Sequence, residues 1–255
     1  MAKPSICFIA NSTDVAEQSC VALIERYGQT EHDKADIIVA LGGDGFMLQT
    51  QLDFMDSGLP VYGMNKGTVG FLMNEYREED LYERLDKALK AIIHPLQMVA
   101  IDADGQRHES MAFNEVSLFR QSHQAARLRI EIDGKERMAS LSCDGIMVAT
   151  PQGSTAYNLS AHGPILPLKA PLLALTPVSA FRPRNWRGAL LPNTAQVRIT
   201  VLEPEKRPVN AVADNTEIKS AVEVFIHEDR DATGILLFDQ EHTWEERILD
   251  EQFRY

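Results

Sequence analysis

The chain is poor in cysteine. It has three among 255 residues, Cys7, Cys20 and Cys143. They are scattered, odd in number and never spaced as CxxC, which excludes a disulfide framework and gives no structural zinc site. Positive charge is also scarce: 25 Lys and Arg against 37 Asp and Glu leave a net charge of -12. General nucleic-acid binding needs a basic footprint, so no nucleic-acid partner is expected. An anionic ligand would have to be held by backbone N–H groups, a few local cations or a metal. No apolar run approaches the roughly 20 residues of a membrane span. The start, Met1-Ala2-Lys3-Pro4-Ser5-Ile6, enters a strand-like run without a signal-peptide layout. The expectation is a cytoplasmic protein with no membrane partner. Internal repeats and low-complexity tracts are missing. So are the Walker A lysine, the GxGxxG fingerprint, the GxSxG elbow, HExxH and the EF-hand loop.

What is present is an ordinary globular composition, 44% hydrophobic and 24% charged, long enough for one large domain or two small ones. Residues 5–11, 36–41 and 60–65 read as buried strands. Asp14, with Glu17 three positions on, reads as a capping-box start of a helix reaching about Tyr27. Residues 46–55 suit a helix. A longer helix is expected over 78–93, with acidic residues in its first turn and an apolar stripe of Leu81, Leu85, Ala88, Leu89 and Ile92. Alternating strands and helices mean an α/β unit with a parallel sheet.

The pattern changes near His94-Pro95. Leu128, Ile130 and Ile132 alternate with charged residues and meet a hairpin signal at Asp133-Gly134. Val197, Ile199 and Val201 repeat the alternation, as does the stretch around Val222, Val224 and Ile226. The segment 234–238 and the amphipathic tail 241–254 read as strand plus helix again. The expected architecture is an α/β domain over 1–95, rejoined by a returning tail at 234–255, and a β-rich, antiparallel, sandwich-like domain over 96–233. The acidic run at 227–231 reads as a solvated turn.

Four stretches carry candidate chemistry. Gly42-Gly43-Asp44-Gly45 follows the second strand. Glycine permits φ > 0 and lets a ligand reach the backbone, and the C-terminal edge of a parallel sheet is where α/β proteins bind nucleotides. By itself it is equally a tight turn with a solvated Asp. The second stretch, NKGTVGFL at 65–72, is another glycine turn after a neighbouring strand, holding Gly67, Gly70 and Phe71. Third, Asn114 and Glu115 sit side by side, facing opposite ways on a strand; an amide and a carboxylate suit the edge of a base and a ribose diol. Fourth is 143–164, with Asp144, a Pro-Gln-Gly turn and then Ser154-Thr155-Ala156-Tyr157. A hydroxyl residue after glycine reads as a helix N-cap, and a helix N-terminus attracts anions. A serine-hydrolase reading is poor without the elbow.

Together and in this order, the four stretches resemble the NAD kinase family, bacterial type. That family carries GGDG, NxGxxGFL, Asn-Glu and DGxxxxTPxGSTAYxLSxGGP. GGDG alone is shared with lipid kinases. The resemblance spans most of the chain and implies phosphorylation of the adenosine ribose 2′-hydroxyl of NAD by ATP or polyphosphate, giving NADP. It implies a divalent metal, Mg²⁺, and a homodimer or homotetramer in which a neighbouring subunit can complete the site. Carried over by position, it makes Asp44 the catalytic residue. It gives Asp44, Gly45, Phe71, Asn114, Glu115, Asp144, Gln152, Thr155, Ala156, Tyr157, Asn158, Leu159 and Ser160 to the NAD site. Backbone N–H groups of Gly42, Gly43, Gly45, Gly67 and Gly70 would cradle phosphates. Asp44 would act as base toward the hydroxyl or as a ligand for Mg²⁺.

The chain departs from the family at Phe46, where a Thr is usual, at His162, which replaces one glycine of GGP, and at Asp214-Asn215, where Asp-Gly is usual. Two alternatives stay open at this point. One is a lipid kinase using the same GGDG, which needs a membrane-binding stretch that the sequence does not offer. The other is a non-catalytic NAD(P)(H) sensor, kept open by Phe46 and His162.

Overall fold

Three short, almost wholly apolar runs, Ile6–Ala10, Ile37–Leu41 and Val61–Asn65, become strands that pair in parallel in that order. Ile38, Val39, Ala40 and Leu41 are all buried, as expected for a parallel sheet covered on both faces. The computed structural model describes residues 3–67, 70–184, 186–240 and 244–253, the side chains of 245, 250 and 251 apart. The chain divides into two units, Met1–Ile93 with Ala232–Tyr255 and His94–Asp231.

In the first unit the strand Gly234–Phe238 inserts between Val61–Asn65 and Leu89–Ile93. It runs parallel to the former and antiparallel to the latter, so the sheet is mixed rather than purely parallel. Its pairing with Val61–Asn65 is limited to Leu236 opposite Val61. Asn74, fully buried, bridges the two strands: its amide donates to the carbonyls of Gly63 and Leu237, each at 3.0 Å, and accepts from Asp239 N–H at 3.0 Å. A buried amide is tolerable only when its groups are satisfied in this way. The helix Trp244–Gln252 follows, and buried Trp244 stands between the rings of Phe71 and Phe238.

Two local expectations are corrected here. The first helix spans Asp14–Tyr27, but its cap is Thr13, whose hydroxyl oxygen accepts from Ala16 N–H at 3.4 Å. Asp14 is the first helical residue. The helix expected over 78–93 is confined to Leu81–Lys87, and Leu89–Ile93 is an edge strand. Asp80 is left-handed and Ala88 extended, which ends the helix on both sides. The apolar spacing suits either structure, and pairing with Gly234–Phe238, far along the chain, decides it.

The second unit holds two six-stranded sheets built entirely from antiparallel pairs. Their inner faces share one core, with Leu96, Met98, Leu128, Ile130, Ile199 and Val224 from one sheet and Val116, Leu118, Ile146, Val148, Val209 and Ala211 from the other. This is a sandwich. Asp133 and Gly134 both take positive φ, 53° and 72°, as a two-residue hairpin turn requires. In Ala221–Glu228 a register shift between Ala221 and Glu223 puts Ala221, Val224 and Ile226 in the core and leaves Val222 half-buried. Part of the acidic run is corrected too: His227 and Glu228 end that strand, and the Glu228 side chain is 6% exposed and accepts from the Asn193 amide at 2.7 Å, while Arg230 and Asp231 are exposed. Among the described residues no helix is long and apolar enough to cross a membrane.

Candidate functional site

Each unit contributes one set of candidate residues. In the first, Gly42 and Gly43 leave the strand Ile37–Leu41 and lead into the helix Asp44–Phe54, for which Gly43 is the N-cap. The glycines here are not needed for positive φ, contrary to one of the two expected reasons; none of Gly42, Gly43 and Gly45 adopts it. Space separates them. A Cβ on Gly42 would press on the Phe46 side chain at 3.0 Å, whereas one on Gly43 or Gly45 would meet nothing within 4 Å. Gly42 N–H is spent on Met64 O at 3.1 Å, which removes it from the expected phosphate donors, but the first N–H groups of a helix lack intrahelical acceptors, so Gly43 and Gly45 still offer donors beside open space. Phe46 thus has a packing partner in Gly42.

Asp44 does not point into solvent. Its Oδ2 accepts from Phe71 N–H at 2.9 Å and its Oδ1 from Leu72 N–H at 3.1 Å. The carboxylate therefore ties the first glycine turn to the second. A Cβ on Gly70 would fall on that carboxylate, so this position demands glycine. Burial pushes the Asp44 carboxyl above its ordinary range, while the Leu72 and Phe71 N–H groups and the Arg247 guanidinium pull it back. Gly67 N–H donates to Asn65 Oδ1 at 3.1 Å. Thr68 and Val69 of the same turn lie outside the described residues.

In the second unit, Asn114 and Glu115 stand at the start of the strand Glu115–Arg120. The strand Gly145–Ala149 pairs beside it, placing Ala149 opposite Glu115. The turn that follows is tied to the same spot. Thr150 N–H donates to Asn114 O at 2.9 Å, and the Thr150 hydroxyl to Phe113 O at 2.6 Å. A Cβ on Gly153 would overlap the Asn114 carbonyl. Gln152, 3% exposed, donates to Asn114 Oδ1 at 3.4 Å, and its own Oε1 is buried without a partner. Glu115 Oε2 is likewise buried and unpartnered. Its carboxyl is pushed up to about 7, chiefly by burial and then by the charge of Asp214.

The expected capped helix after Gly153 is a single 3₁₀ turn, Gly153–Thr155, followed by a four-residue helix, Tyr157–Ser160, with no side-chain cap. It is too short to act as an anion site. Ser154 Oγ donates to Pro151 O at 2.6 Å and accepts from Leu166 N–H at 2.9 Å. Asn158 is fully buried; its amide donates to Ser154 O and Pro164 O and accepts from Thr176 Oγ1 at 2.7 Å. Both side chains brace the turn. Thr155, Ala156 and Leu159 are half-buried, and Tyr157 and Ser160 exposed. His162 takes φ 63°, the left-handed conformation that favours glycine.

Asp144 lies at the other end of the same strand pair, five residues from Ala149, about 17 Å at roughly 3.4 Å per residue. It receives Arg120 Nε at 2.7 Å. Tyr157 packs edge-on against Phe119 at 5.7 Å. Arg120, Ser122, His123, Asp144 and Tyr157 line an open pocket of about 560 Å³.

Three residues in contact with these candidates carried no motif or a broken one. Asp214, φ 47°, accepts from Phe113, Asn114 and Glu115 N–H at 2.7, 3.0 and 3.2 Å, which fixes the Asn-Glu backbone. Arg120 pairs Asp144, and Arg247 of the last helix reaches the Gly70 turn. Only Asp214 had a signal, as a departure from Asp-Gly.

Comparison with known proteins adds the following. The family model for the ATP-NAD kinase N-terminal domain matches residues 10–93, and that for the ATP-NAD kinase C-terminal domain matches 104–227. An NAD kinase of Mesorhizobium japonicum is 59% identical over 251 residues, 98% of each chain. One of Brucella suis is 60% identical over 248 residues, 97% of this chain and 96% of that one. Among solved structures, yeast NADH kinase complexed with NADH superposes with a TM-score of 0.85 at 20% identity, covering 98% of this chain and 89% of that one. An Archaeoglobus fulgidus NAD kinase in complex with ATP gives 0.78 at 21%, covering 96% and 97%. These two likenesses concern the fold.

Proposed function

The chain belongs to the NAD kinase family, and we propose on that premise that Asp44 is the base for transfer of the terminal phosphoryl group of ATP to the adenosine ribose 2′-hydroxyl of NAD. The product is NADP. The observation that carries the role of Asp44 is its placement: half-buried, pinned by two N–H groups, and set beside the open backbone of Gly43 and Gly45. A carboxylate has about four lone-pair sites, and the two N–H groups use two. The remainder can take the hydroxyl proton as the ribose oxygen attacks phosphorus and ADP leaves. Positioning dominates such a transfer.

Glu115, Asn114 and Gln152 would receive the adenosine end of NAD. A ribose hydroxyl donated to Glu115 Oε2, and a base N–H donated to Gln152 Oε1, would satisfy both buried acceptors. The span to Asp144 and the pocket beside Tyr157 suit the rest of an extended dinucleotide. Gly45, Phe71, Thr155, Ala156, Leu159 and Ser160 would line the ligand, with the N–H groups of Gly43, Gly45 and Gly70 toward phosphate, since those of Gly42 and Gly67 are spent on Met64 O and Asn65 Oδ1.

No three His, Cys, Asp or Glu side chains converge on a metal site among the described residues. Mg²⁺ usually takes one or two carboxylates together with substrate phosphates and water, so Asp44 could hold it only in place of acting as the base. When bound on the donor, the ion neutralises phosphate charge. Polyphosphate as a second donor, a homodimer or homotetramer, and a cytoplasmic location complete the proposal.

The test is to incubate pure protein with NAD, Mg²⁺ and either ATP or polyphosphate, and to read NADP with an NADP-specific dehydrogenase. NADP should form with ATP. No product with either donor refutes the reading.

A further inference from the structure

Resting on Asp44 as the base, we propose that Arg247, from the returning helix, is a positioning residue for phosphoryl transfer, acting on Asp44 through two peptide units. The geometry is a relay. Asp44 takes the N–H of Phe71 on one oxygen and the N–H of Leu72 on the other. Arg247 Nη1 donates to Gly70 O at 3.1 Å and to Phe71 O at 2.7 Å. Gly70 O and Phe71 N–H belong to one peptide, and Phe71 O and Leu72 N–H to the next. Each of two successive peptides is thus held at both ends, its N–H on a carboxylate and its C=O on a guanidinium.

The charges at the two ends orient both peptide dipoles the same way. Hydrogen bonds to ionised groups are about twice as strong as neutral ones, and linked bonds polarise one another. The carbonyl end cannot turn without withdrawing an N–H from Asp44. Gly70 makes the approach possible, since a Cβ there would strike the carboxylate. Arg247 is itself held, with its guanidinium carbon 5.3 Å from the Phe238 ring centroid. Asp239, a neighbouring negative charge, is already engaged by Arg84 Nη2 and the Tyr62 hydroxyl, both at 2.6 Å. Guanidinium stays charged in proteins, so the clamp does not depend on a titratable cation.

The experiment uses the full chain with Arg247→Met, Arg247→Lys and, as reference, Asp44→Asn. Steady-state kinetics with NAD and ATP are read beside melting temperature. Arg247→Met is expected to lose at least about tenfold in kcat, the equivalent of one charge-assisted hydrogen bond, with KM for NAD changed less than about threefold. Arg247→Lys should recover part of that loss, and added methylguanidinium should raise kcat of Arg247→Met but not of the parent. Wild-type kcat in Arg247→Met overturns the inference. So does a fall in kcat and melting temperature together that neither lysine nor methylguanidinium relieves, because that marks packing alone. An active Asp44→Asn overturns the assignment of the base itself. An inactive Asp44→Asn beside a fully active Arg247→Met overturns only the relay.

Discussion

Asp44 in the first unit and Glu115 in the second are both half-buried carboxylates pushed above their ordinary pKa by desolvation. They differ in what meets their oxygens. Both oxygens of Asp44 accept backbone N–H groups, and the turn supplying them needs Gly70 to come that close. Glu115 Oε2 has no hydrogen-bond partner, and Gln152 Oε1 is equally bare. An unmet buried polar group costs about 1–3 kcal/mol, more when charged, so packing alone gives no reason to keep two. A carboxylate already pinned suits chemistry, which demands a fixed position. A carboxylate left open suits recognition, because the ligand completes it.

The sharpest way to break this contrast is to damage each carboxylate and ask whether rate or affinity suffers. Asp44→Asn should cost at least about 10²-fold in kcat while leaving NAD affinity, measured by calorimetry, within about threefold. Its amide nitrogen cannot accept the N–H that an oxygen now takes, so it disturbs the turn as well. Next in size is Gly70→Ala. The new Cβ must push the carboxylate aside, and a displacement of about 1 Å costs up to about 10²-fold in rate. Gly67→Ala is the matched control. Its Cβ would meet only Asn65 Oδ1, at 3.8 Å, and kcat should stay within about twofold. Equal losses in the two alanine variants would show that close approach to Asp44 is not what the second turn is for.

Glu115→Gln should act on the other side of the comparison, raising KM for NAD roughly tenfold with a smaller change in kcat. A pH titration sharpens it. If the ionised form accepts the ribose hydroxyls, NAD affinity of the parent should rise with pH through about 7, and the glutamine variant should be flat. Stability should move the opposite way. The folded carboxyl holds its proton more tightly than the ordinary 4.5, so its contribution is complete below that pH and is lost as pH rises through about 7. Urea unfolding across this window should show a decline in the parent that Glu115→Gln reduces.

The parts of this arrangement that were legible in sequence are those with local signatures. Buried parallel strands, alternating antiparallel strands and the Asp133-Gly134 hairpin announce themselves within a few residues. The α/β unit and the sandwich follow from them. Leu89–Ile93 was misread because its partner, Gly234–Phe238, is remote, and neither stretch alone chooses between strand and helix. GGDG was legible as a close approach, but its object was not, since Asp44 faces a turn 27 residues on rather than solvent. Ser154 reads from sequence as a helix N-cap, and the family resemblance gives Asn158 to the NAD site. Here their hydrogen bonds are spent inside the turn. Arg247 was invisible because the carbonyls it holds belong to backbone, which leaves no pattern in side-chain identity.

Asp214 gives the smallest effect and the most selective one, because it joins the two kinds of carboxylate in a single neighbourhood. Like Asp44 it is filled, by three N–H groups from Phe113, Asn114 and Glu115, and burial pushes its own carboxyl upward against them. Like charge from Asp214 is also the second cause of the raised pKa of Glu115. Asp214→Asn keeps the shape of the side chain and removes that charge. Glu115 should then ionise more readily, and the rise of NAD affinity with pH should move to lower pH. The lost N–H contact should weaken NAD binding by a few-fold, about 0.5–1.5 kcal/mol, with kcat nearly unchanged. A shift toward higher pH, or none, would mean that the charge of Asp214 does not reach Glu115, and that the open carboxylate is raised by burial alone.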